Sequence, residues 1–169
     1  SVVDGRIEST GHERAALAPA LAVMKRLGLY TLGGYRVRGQ VLALVEHHWK
    51  PEQFYDDRDR VSDGDFRRLA LEVDMDLLYR LAKADALARG DDSSASKPDW
   101  FIERVRALGI EHGAPDPLLK GRHLIEAGFE PGPRMGEVLR LVYEMQLDGK
   151  ISDLEEALSA ARNLGNGQP

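Results

Sequence analysis

Residues 119–149 form the stretch of the chain whose composition and spacing best suit binding chemistry, because a glycine and a proline-rich turn separate two helical patterns. Gly128 offers the left-handed conformation that ends a helix at low cost, and Pro131 and Pro133 suit the entry into the next helix. The N-terminus of a helix presents free N–H groups, which favour an anion. With Arg134 beside it, the turn predicts a phosphate site. The same pattern is also typical of helical hairpins that only pack.

Both arms of this hairpin show the 3.6-residue period of amphipathic helices. We predict helices over 120–127 and 134–147, and the apolar face of the second contains Met135, Val138, Leu139, Val142 and Met145. Gly132, between the two prolines, would let another backbone come close. Basic and acidic side chains around the turn are equal in number, so only the fold can separate the two signs of charge.

Three histidines stand at predicted helix ends, where imidazole nitrogens and carboxylate oxygens can combine to bind a divalent metal. His12 opens one helical pattern, and His47 and His48 close the next. Neighbouring helical residues point about 100° apart, so at most one of the adjacent pair faces the core. A metal site at this trio is one hypothesis, and histidines that only pack or meet solvent are the other.

Three pairs of aspartates have the spacing Asp-x-Asp, beginning at Asp57, Asp63 and Asp74. On strands such pairs can hold Mg²⁺ for phosphoryl transfer, but here they fall in predicted loops or at helix starts. Capping of helix N-termini explains carboxylates at those positions. The sequence has no phosphate loop, no GxSxG and no HExxH, so we predict no catalytic residue in it.

The composition favours a cytoplasmic protein without disulfides. The chain has 169 residues, 43% of them hydrophobic, and it has no cysteine, no spanning segment and no secretory leader. Its net charge of −5 argues against a general polyanion binder, so any contact with nucleic acid must be local. The chain begins SVVDGR rather than with Met, which predicts a piece of a longer protein.

Helical periodicity dominates the sequence, and no segment shows the sustained alternation that marks a strand. We therefore predict an all-α fold after ten irregular residues, with helical patterns over 12–27, 35–49, 65–73, 74–89, 98–108 and 152–163. Ser62 and Asp74 stand at N-cap positions. Ser152 and Glu155 have the spacing of a capping box that opens the last helix.

The polar segment 90–96, GDDSSAS, has the composition of a linker. We place the boundary between two helical parts there, with residues 1–92 before it, a linker at 93–98 and residues 99–169 after it. Trp100 and Phe101 then give the next helix an aromatic face that we expect in the core.

In this order, the chain contains the segments GRIESTGHERAA, ALVEHHWKP, RLAKADALARG and GRHLIEAGFEPGPRMGEVLRLVYEMQLDGKISDLEEAL. Together they resemble the C-terminal region of bacterial tRNA nucleotidyltransferases and poly(A) polymerases, in which the latter half of an HD-type helical domain precedes a small RNA-contacting domain. The likeness is most specific in the hairpin, which matches the layout LxGxxLIxxGxxPGPxxGxxL.

The resemblance implies an HD-like part at 1–92 and an RNA-binding part at 99–169. In that family the polymerase chemistry, with its Mg²⁺, belongs to an N-terminal nucleotidyltransferase domain with a Gly-Ser turn and a strand-borne Asp-x-Asp. Nothing in this chain matches those elements, so the resemblance implies no nucleotide addition and no cofactor here. Among HD metal ligands, His12, His47 and His48 resemble the additional histidine region and Asp85 the late aspartate. The His-Asp dyad itself is absent from the sequence.

The function that we expect is the non-catalytic, RNA-binding portion of such an enzyme, holding the phosphate backbone of tRNA. The candidate RNA-binding residues surround the hairpin turn: Lys120, Arg122, Gly132, Arg134 and Arg140. One alternative is an HD-type metal-dependent phosphohydrolase that uses His12, His47, His48 and Asp85. Another is a helical interaction module. The sequence leaves the oligomeric state open and indicates no membrane partner.

Overall fold

The computed structural model describes residues 2–3, 6–7, 12–31, 33–34, 36–89 and 92–166, and within these ranges almost all of the ordered structure is helical. The helices are α1 His12–Arg26, α2 Val37–His47, α3 Lys50–Asp56, α4 Asp63–Leu69, α5 Met75–Ala88, α6 Asp92–Leu108, α7 Gly121–Glu126, α8 Pro133–Leu147 and α9 Leu154–Asn166. The all-α prediction is confirmed. None of these helices is long and apolar enough to cross a membrane.

The described part of the first ten residues, 2–3 and 6–7, is less irregular than predicted. Strands β1 Val2–Val3 and β2 Arg6–Ile7 pair in antiparallel register, with Val2 opposite Ile7. A strand of two residues is too short to show alternation of apolar and polar residues, so it cannot be predicted from the hydrophobic pattern.

Side-chain caps define the starts of α4 and α5 as the sequence predicts. Ser62 Oγ accepts a hydrogen bond from the Asp65 N–H, and the Asp65 carboxylate accepts one from the Ser62 N–H at 2.8 Å. Asp74 Oδ1 accepts from the Leu77 N–H at 2.9 Å. Two of the Asp-x-Asp pairs thus contain a capping carboxylate.

The chain forms two compact units, and each is discontinuous in sequence. Unit 1 contains residues 1–59 and 72–113, whereas unit 2 contains 60–71 and 114–169. Helix α4 therefore belongs to unit 2, although α3 and α5 on either side of it belong to unit 1. This division differs from the predicted boundary at 93–98.

The predicted linker at 93–98 needs correction, because α6 runs through it from Asp92 to Leu108. Serine and aspartate are favoured in caps and first turns of helices as well as in loops, so their composition alone does not separate the two. Pro98 lies inside α6 rather than opening the helix. As the seventh residue of the helix, this proline has no N–H to donate to the carbonyl four residues before it, so the helix lacks one hydrogen bond there.

The core of unit 1 lies where α5, α6 and α3 pack together. Its buried apolar residues are Phe54, Val73, Met75, Leu78, Ala82, Ala86, Phe101, Ile102, Val105 and Ile110. The rings of Phe54 and Phe101 meet edge to face at a centroid distance of 6.0 Å. The expected core position of Phe101 is confirmed, and Trp100 packs on Tyr55 beside it. Helix α3 itself was not predicted, because seven residues contain too few turns to show a period.

The core of unit 2 is built from α7, α8 and α9. Its buried residues are Leu119, Leu124, Val138, Val142, Ile151, Ala157 and Ala161. The predicted apolar face of α8 packs against this cluster, with Val138 and Val142 buried and Met135, Leu139 and Met145 partly buried. The start of α9 differs by one residue from the predicted capping box. Asp153 accepts from the Glu156 N–H and Glu156 from the Ser152 N–H, which leaves Glu155 out of the cap.

Candidate nucleic-acid interface

Helix α7 ends at Gly128 as the sequence predicts. Gly128 has a φ of 88°, in the left-handed region that favours glycine. Its N–H donates to the Ile125 carbonyl, and the Phe129 N–H donates to the Leu124 carbonyl at 2.9 Å. These two bonds form a Schellman motif, which satisfies the last carbonyls of α7 and turns the chain toward α8.

The first turn of α8 offers fewer free donors than the sequence suggested. Gly132 is the N-cap residue and has no side chain with which to cap, and Pro133 in the next position has no N–H. The Met135 N–H donates back to the Gly132 carbonyl at 3.1 Å. Within the described residues this leaves the Arg134 N–H as the donor of the turn. A Cβ atom on Gly132 would have no neighbour within 4 Å, so this glycine does not serve a close approach within the chain.

The side chain of Arg134 has a structural partner. Its Nη2 donates to the Gly165 carbonyl at 2.7 Å, in the last turn of α9. A Cβ atom on Gly165 would lie 2.9 Å from the Phe129 ring, so Gly165 lets α9 approach the end of α7 closely. The exposed guanidinium of Arg134 therefore closes a helix C-terminus, and no local pattern in the sequence signals this interaction.

Lys120 and Arg122 flank the start of α7. The Lys120 N–H points to His123 Nδ1 at 3.2 Å, and Arg122 Nε points to His123 Nε2 at 3.2 Å. A neutral imidazole has one acceptor nitrogen, so only one of these interactions is a hydrogen bond at a time. The ammonium group of Lys120 makes no hydrogen bond or ion pair in the described part of the chain. Both basic side chains remain exposed.

Side-chain packing connects the starts of α7 and α8. A Cβ atom on Gly121 would lie 3.7 Å from the methyl group of Met135, so the two helix starts are neighbours. Gly121, which stands between Lys120 and Arg122 in the sequence, therefore lies near the first turn of α8. Arg140 lies six residues after Arg134 in α8, about 9 Å along the helix axis, and is exposed.

The opposite end of α8 contains basic residues that the sequence analysis did not single out. Arg67 Nη1 donates to the Leu147 carbonyl at 2.7 Å, and Arg68 Nε donates to the Glu144 carboxylate at 2.9 Å. Arg68 also pairs with Asp148. Hydrogen bonds from Lys150 and Arg68 hold the pKa of Asp148 below its usual range. The sequence signal was the pair of arginines in the last turn of the capped helix α4.

Unit 2 is not a basic domain. It contains nine Lys and Arg residues against eleven Asp and Glu residues, a net charge of −2. Arg68 pairs with Glu144 and Asp148 at the end of α8 away from the hairpin turn. Glu126, Glu130 and Glu137 are exposed near the turn itself, so the basic residues there lie among acidic ones.

The loop that leads into α7 is fixed to α8 by two side chains. Gln146 is buried, and its amide accepts from the Leu118 N–H at 3.0 Å and donates to the Asp116 carbonyl at 2.9 Å. The Tyr143 hydroxyl donates to the Pro115 carbonyl at 2.9 Å. Burial raises the pKa of Tyr143, and Asp116 and Glu144 act in the same direction. The hydroxyl therefore stays protonated and able to donate. These bonds set the position of Lys120 at the loop's end.

The predicted metal residues do not form a cluster in the described part of the chain, where no three His, Cys, Asp or Glu side chains are grouped as a metal would need. His47 Nε2 lies 2.8 Å from the Glu72 carboxylate, and His48 Nδ1 contacts the Val45 carbonyl. Asp85 is 52% exposed and pairs with Arg89 on its own helix. The side chain of His12 lies outside the described residues.

Comparison with known proteins adds one relative. The chain is similar to a tRNA nucleotidyltransferase. It is 34% identical over 158 residues to the A-adding tRNA nucleotidyltransferase of Deinococcus radiodurans, and the match covers 90% of this chain and 35% of that protein. The chain thus spans about a third of the length of this distant, partial relative. No protein-family profile and no solved structure matches the chain.

Proposed function

We propose that this chain is the RNA-binding, non-catalytic C-terminal portion of an enzyme related to tRNA nucleotidyltransferases. The observation that supports the proposal is the likeness to an A-adding tRNA nucleotidyltransferase, which extends over nearly the whole of this chain but over a third of the relative. Nucleotide addition, with any Mg²⁺ that it uses, would then take place in a part of the parent enzyme outside these residues.

In this proposal the hairpin of α7 and α8 binds the phosphate backbone of tRNA. Lys120, Arg122 and Arg140 supply exposed charges, and the Arg134 N–H with its guanidinium lies at the turn beside Gly132. Backbone interactions of this kind position an RNA without reading its bases. Because unit 2 as a whole is acidic, we expect modest affinity, about micromolar or weaker, as in non-specific binding.

The same proposal treats unit 1 as the HD-like body of the parent enzyme, next to unit 2 in the chain. An HD-type phosphohydrolase is not proposed. Two of the candidate metal ligands contact other side chains, since His47 contacts Glu72 and Asp85 contacts Arg89. Metal analysis of the purified chain tests this ranking. Stoichiometric metal that disappears in the His47→Ala variant would reverse it.

The decisive test is a fluorescence-anisotropy titration of labelled tRNA at several salt concentrations. The variant Lys120→Gln/Arg140→Gln removes two exposed charges whose side chains have no polar partner in the described residues. We expect weaker binding and a salt slope reduced by about 0.9 for each phosphate that is no longer neutralised. Equal binding with an unchanged slope would mean that the hairpin only packs.

Two further variants make the test specific. Glu137→Gln, on the exposed side of the same helix, is the control and should leave binding unchanged or slightly tighter. Glu144 is unsuitable for this purpose because Arg68 pairs with it. Arg134→Ala should weaken binding too, but it also releases the Gly165 carbonyl. Its thermal unfolding must therefore be measured beside its affinity.

A further inference from the structure

Acidic residues are absent from one long stretch of unit 1. Between Glu13 and Glu46 the sequence contains five basic residues and no Asp or Glu, although the whole chain has a net charge of −5. The remaining residues therefore have a net charge of −10. This segment is therefore a place in the chain where a polyanion would meet an attractive potential.

The fold gathers four of these basic residues at one turn. Lys25 and Arg26 end α1, Arg36 is the N-cap residue of α2, and Arg38 lies in the first turn of α2. Helices α1 and α2 pack against each other. The Gly28 N–H donates to the Lys25 carbonyl and the Arg38 N–H to the Tyr30 carbonyl, which fastens the turn to both helices. We call Lys25, Arg26, Tyr30, Arg36 and Arg38 the cationic turn.

The charges of the cationic turn are not neutralised within the described residues. Lys25, Arg26 and Arg36 are exposed, and no hydrogen bond or ion pair joins them to another described side chain. Several basic residues elsewhere in unit 1 differ, since Lys97 pairs with Glu52 and Asp56 and Lys83 pairs with Asp99. At this turn three exposed basic side chains lie close in sequence without such a partner.

Arg38 and Tyr30 form a stacked pair at its centre. The guanidinium carbon of Arg38 lies 3.6 Å from the centroid of the Tyr30 ring, and Tyr30 is 53% exposed. The Nε and Nη2 atoms of Arg38 are buried and have no hydrogen-bond partner among the described residues. Buried donors without acceptors are costly, and a shift of the Arg38 side chain that lets an oxygen acceptor reach them would remove that cost. Phosphate and carboxylate oxygens are the acceptors that guanidinium binds best.

The start of α2 adds a favourable dipole. Its first turn contains no acidic residue, and its N-cap residue makes no side-chain capping bond. The Arg38 N–H of this turn already donates to the Tyr30 carbonyl, so an anion near this end of the eleven-residue helix is stabilised mainly by the helix dipole.

We propose that the cationic turn binds the phosphate backbone of single-stranded RNA, with an unstacked base packed on the exposed face of Tyr30. Aromatic rings beside arginines are the stacking platforms on which proteins hold single strands without reading sequence. The proposal deepens the proposed function and rests on it, since both take RNA as ligand, but it assigns a second binding surface in unit 1. Leu27 and Leu29 are also exposed beside the turn, so an anionic membrane surface is the competing ligand that the experiment must separate.

The experiment uses the whole chain with fluorescein-labelled oligouridine as the probe, measured by anisotropy at several salt concentrations. The variant Lys25→Gln/Arg26→Gln/Arg36→Gln removes three exposed charges. We expect its dissociation constant to rise about tenfold or more near 0.1 M salt, and its salt slope to fall by about 0.7 for each phosphate that is no longer neutralised. Tyr30→Leu should weaken oligouridine binding about fivefold or more, because the base then has no ring on which to stack.

The matched control is Arg60→Gln/Arg106→Gln/Arg162→Gln, which removes three exposed charges elsewhere. Its affinity for oligouridine should stay within about twofold of that of the wild type, since it loses the same number of positive charges but keeps the cationic turn. If the two triple variants bind equally well, the cationic turn is not an RNA site. Circular dichroism must show the same helix content for all variants, which is expected because these side chains are exposed.

Two further arms distinguish the possible failures. Vesicles containing phosphatidylserine that bind the wild type, with no binding of oligouridine, would overturn the proposal in favour of a membrane surface. Labelled tRNA is titrated with the hairpin variant Lys120→Gln/Arg140→Gln in parallel. If the hairpin variant loses tRNA binding while the cationic-turn variant binds tRNA and oligouridine normally, this inference is refuted and the proposed function stands. If the cationic-turn variant loses binding while the hairpin variant binds tRNA normally, only the role of the hairpin is refuted.

Discussion

Replacement of Gln146 by leucine removes the side chain that fastens the loop before α7 to α8. The substitution keeps the volume nearly constant but deletes one acceptor and one donor, which in the wild type meet the Leu118 N–H and the Asp116 carbonyl. Leucine can form neither bond. Because Gln146 is buried, water cannot easily take the place of its side chain as acceptor for the Leu118 N–H.

The expected destabilisation follows from two hydrogen bonds. Each contributes about 0.5–1.5 kcal/mol net, so the free energy of unfolding should fall by about 2 kcal/mol. Tyr143→Phe deletes one bond to the same loop, at the Pro115 carbonyl, and should cost about 1 kcal/mol.

Urea unfolding measured in two ways is the assay. Far-ultraviolet circular dichroism reports the helices of both units, whereas fluorescence reports Trp49 and Trp100, which both belong to unit 1. If the units unfold separately, Gln146→Leu should move the circular dichroism transition and leave the fluorescence transition in place. A Gln146→Leu protein as stable as the wild type by both probes would refute the role of this side chain.

Three other outcomes are expected. The Asp74 carboxylate lies 3.1 Å from His112 Nδ1 and raises the pKa of His112 above its ordinary value of 6.5. NMR should therefore show that His112 titrates above pH 6.5, and that its pKa moves back toward 6.5 in Asp74→Asn. The stabilisation from this pair is fully present below pH 6.5 and is lost as the pH rises through the raised pKa, and a flat stability profile there would contradict it. For Asp148 the pKa is lowered, so the pH dependence of its stabilisation runs the other way. The stabilisation is present above the ordinary value of 3.8 and is lost as the pH falls through the lowered pKa. The stability of Asp148→Asn in acid should therefore depend less on pH than that of the wild type. Finally, the chain given ATP, CTP, Mg²⁺ and tRNA should incorporate no nucleotide, and reproducible incorporation would overturn the assignment of chemistry to another part of the parent enzyme.

Local signals predicted some helix ends and not others, since the helix predicted to run to residue 73 ends at Leu69. The caps at Ser62 and Asp74 and the turn at Gly128 each depend on residues within a few positions of one another, so the sequence contains all the information that they need. The apolar face of α8 was predictable for the same reason, because its period is a property of one segment.

Interactions between distant segments were not predictable in this way. Arg134 reaches the Gly165 carbonyl 31 residues away, so its structural role cannot be read from its own neighbourhood. The predicted division into units differs for a similar reason, since the observed one depends on where α4 packs and not on the composition of 90–96. The cationic turn has a sequence signal, the run from 14 to 45 without acidic residues, that a count of the whole chain's charge conceals.

The pairing of α4 with α8 bears on the order in which the chain is made. Arg67 and Arg68 leave the ribosome about 80 residues before their partners Leu147 and Asp148. The two arginines are therefore made without these partners and can pair with them only after α5, α6 and α7 have been translated. A truncation that starts at residue 99 or 114 would remove α4 and leave the Leu147 carbonyl without the Arg67 donor. A shortened version of unit 2 intended for RNA-binding work must therefore supply residues 60–71 as well, joined to 114–169 by a linker or added as a separate peptide.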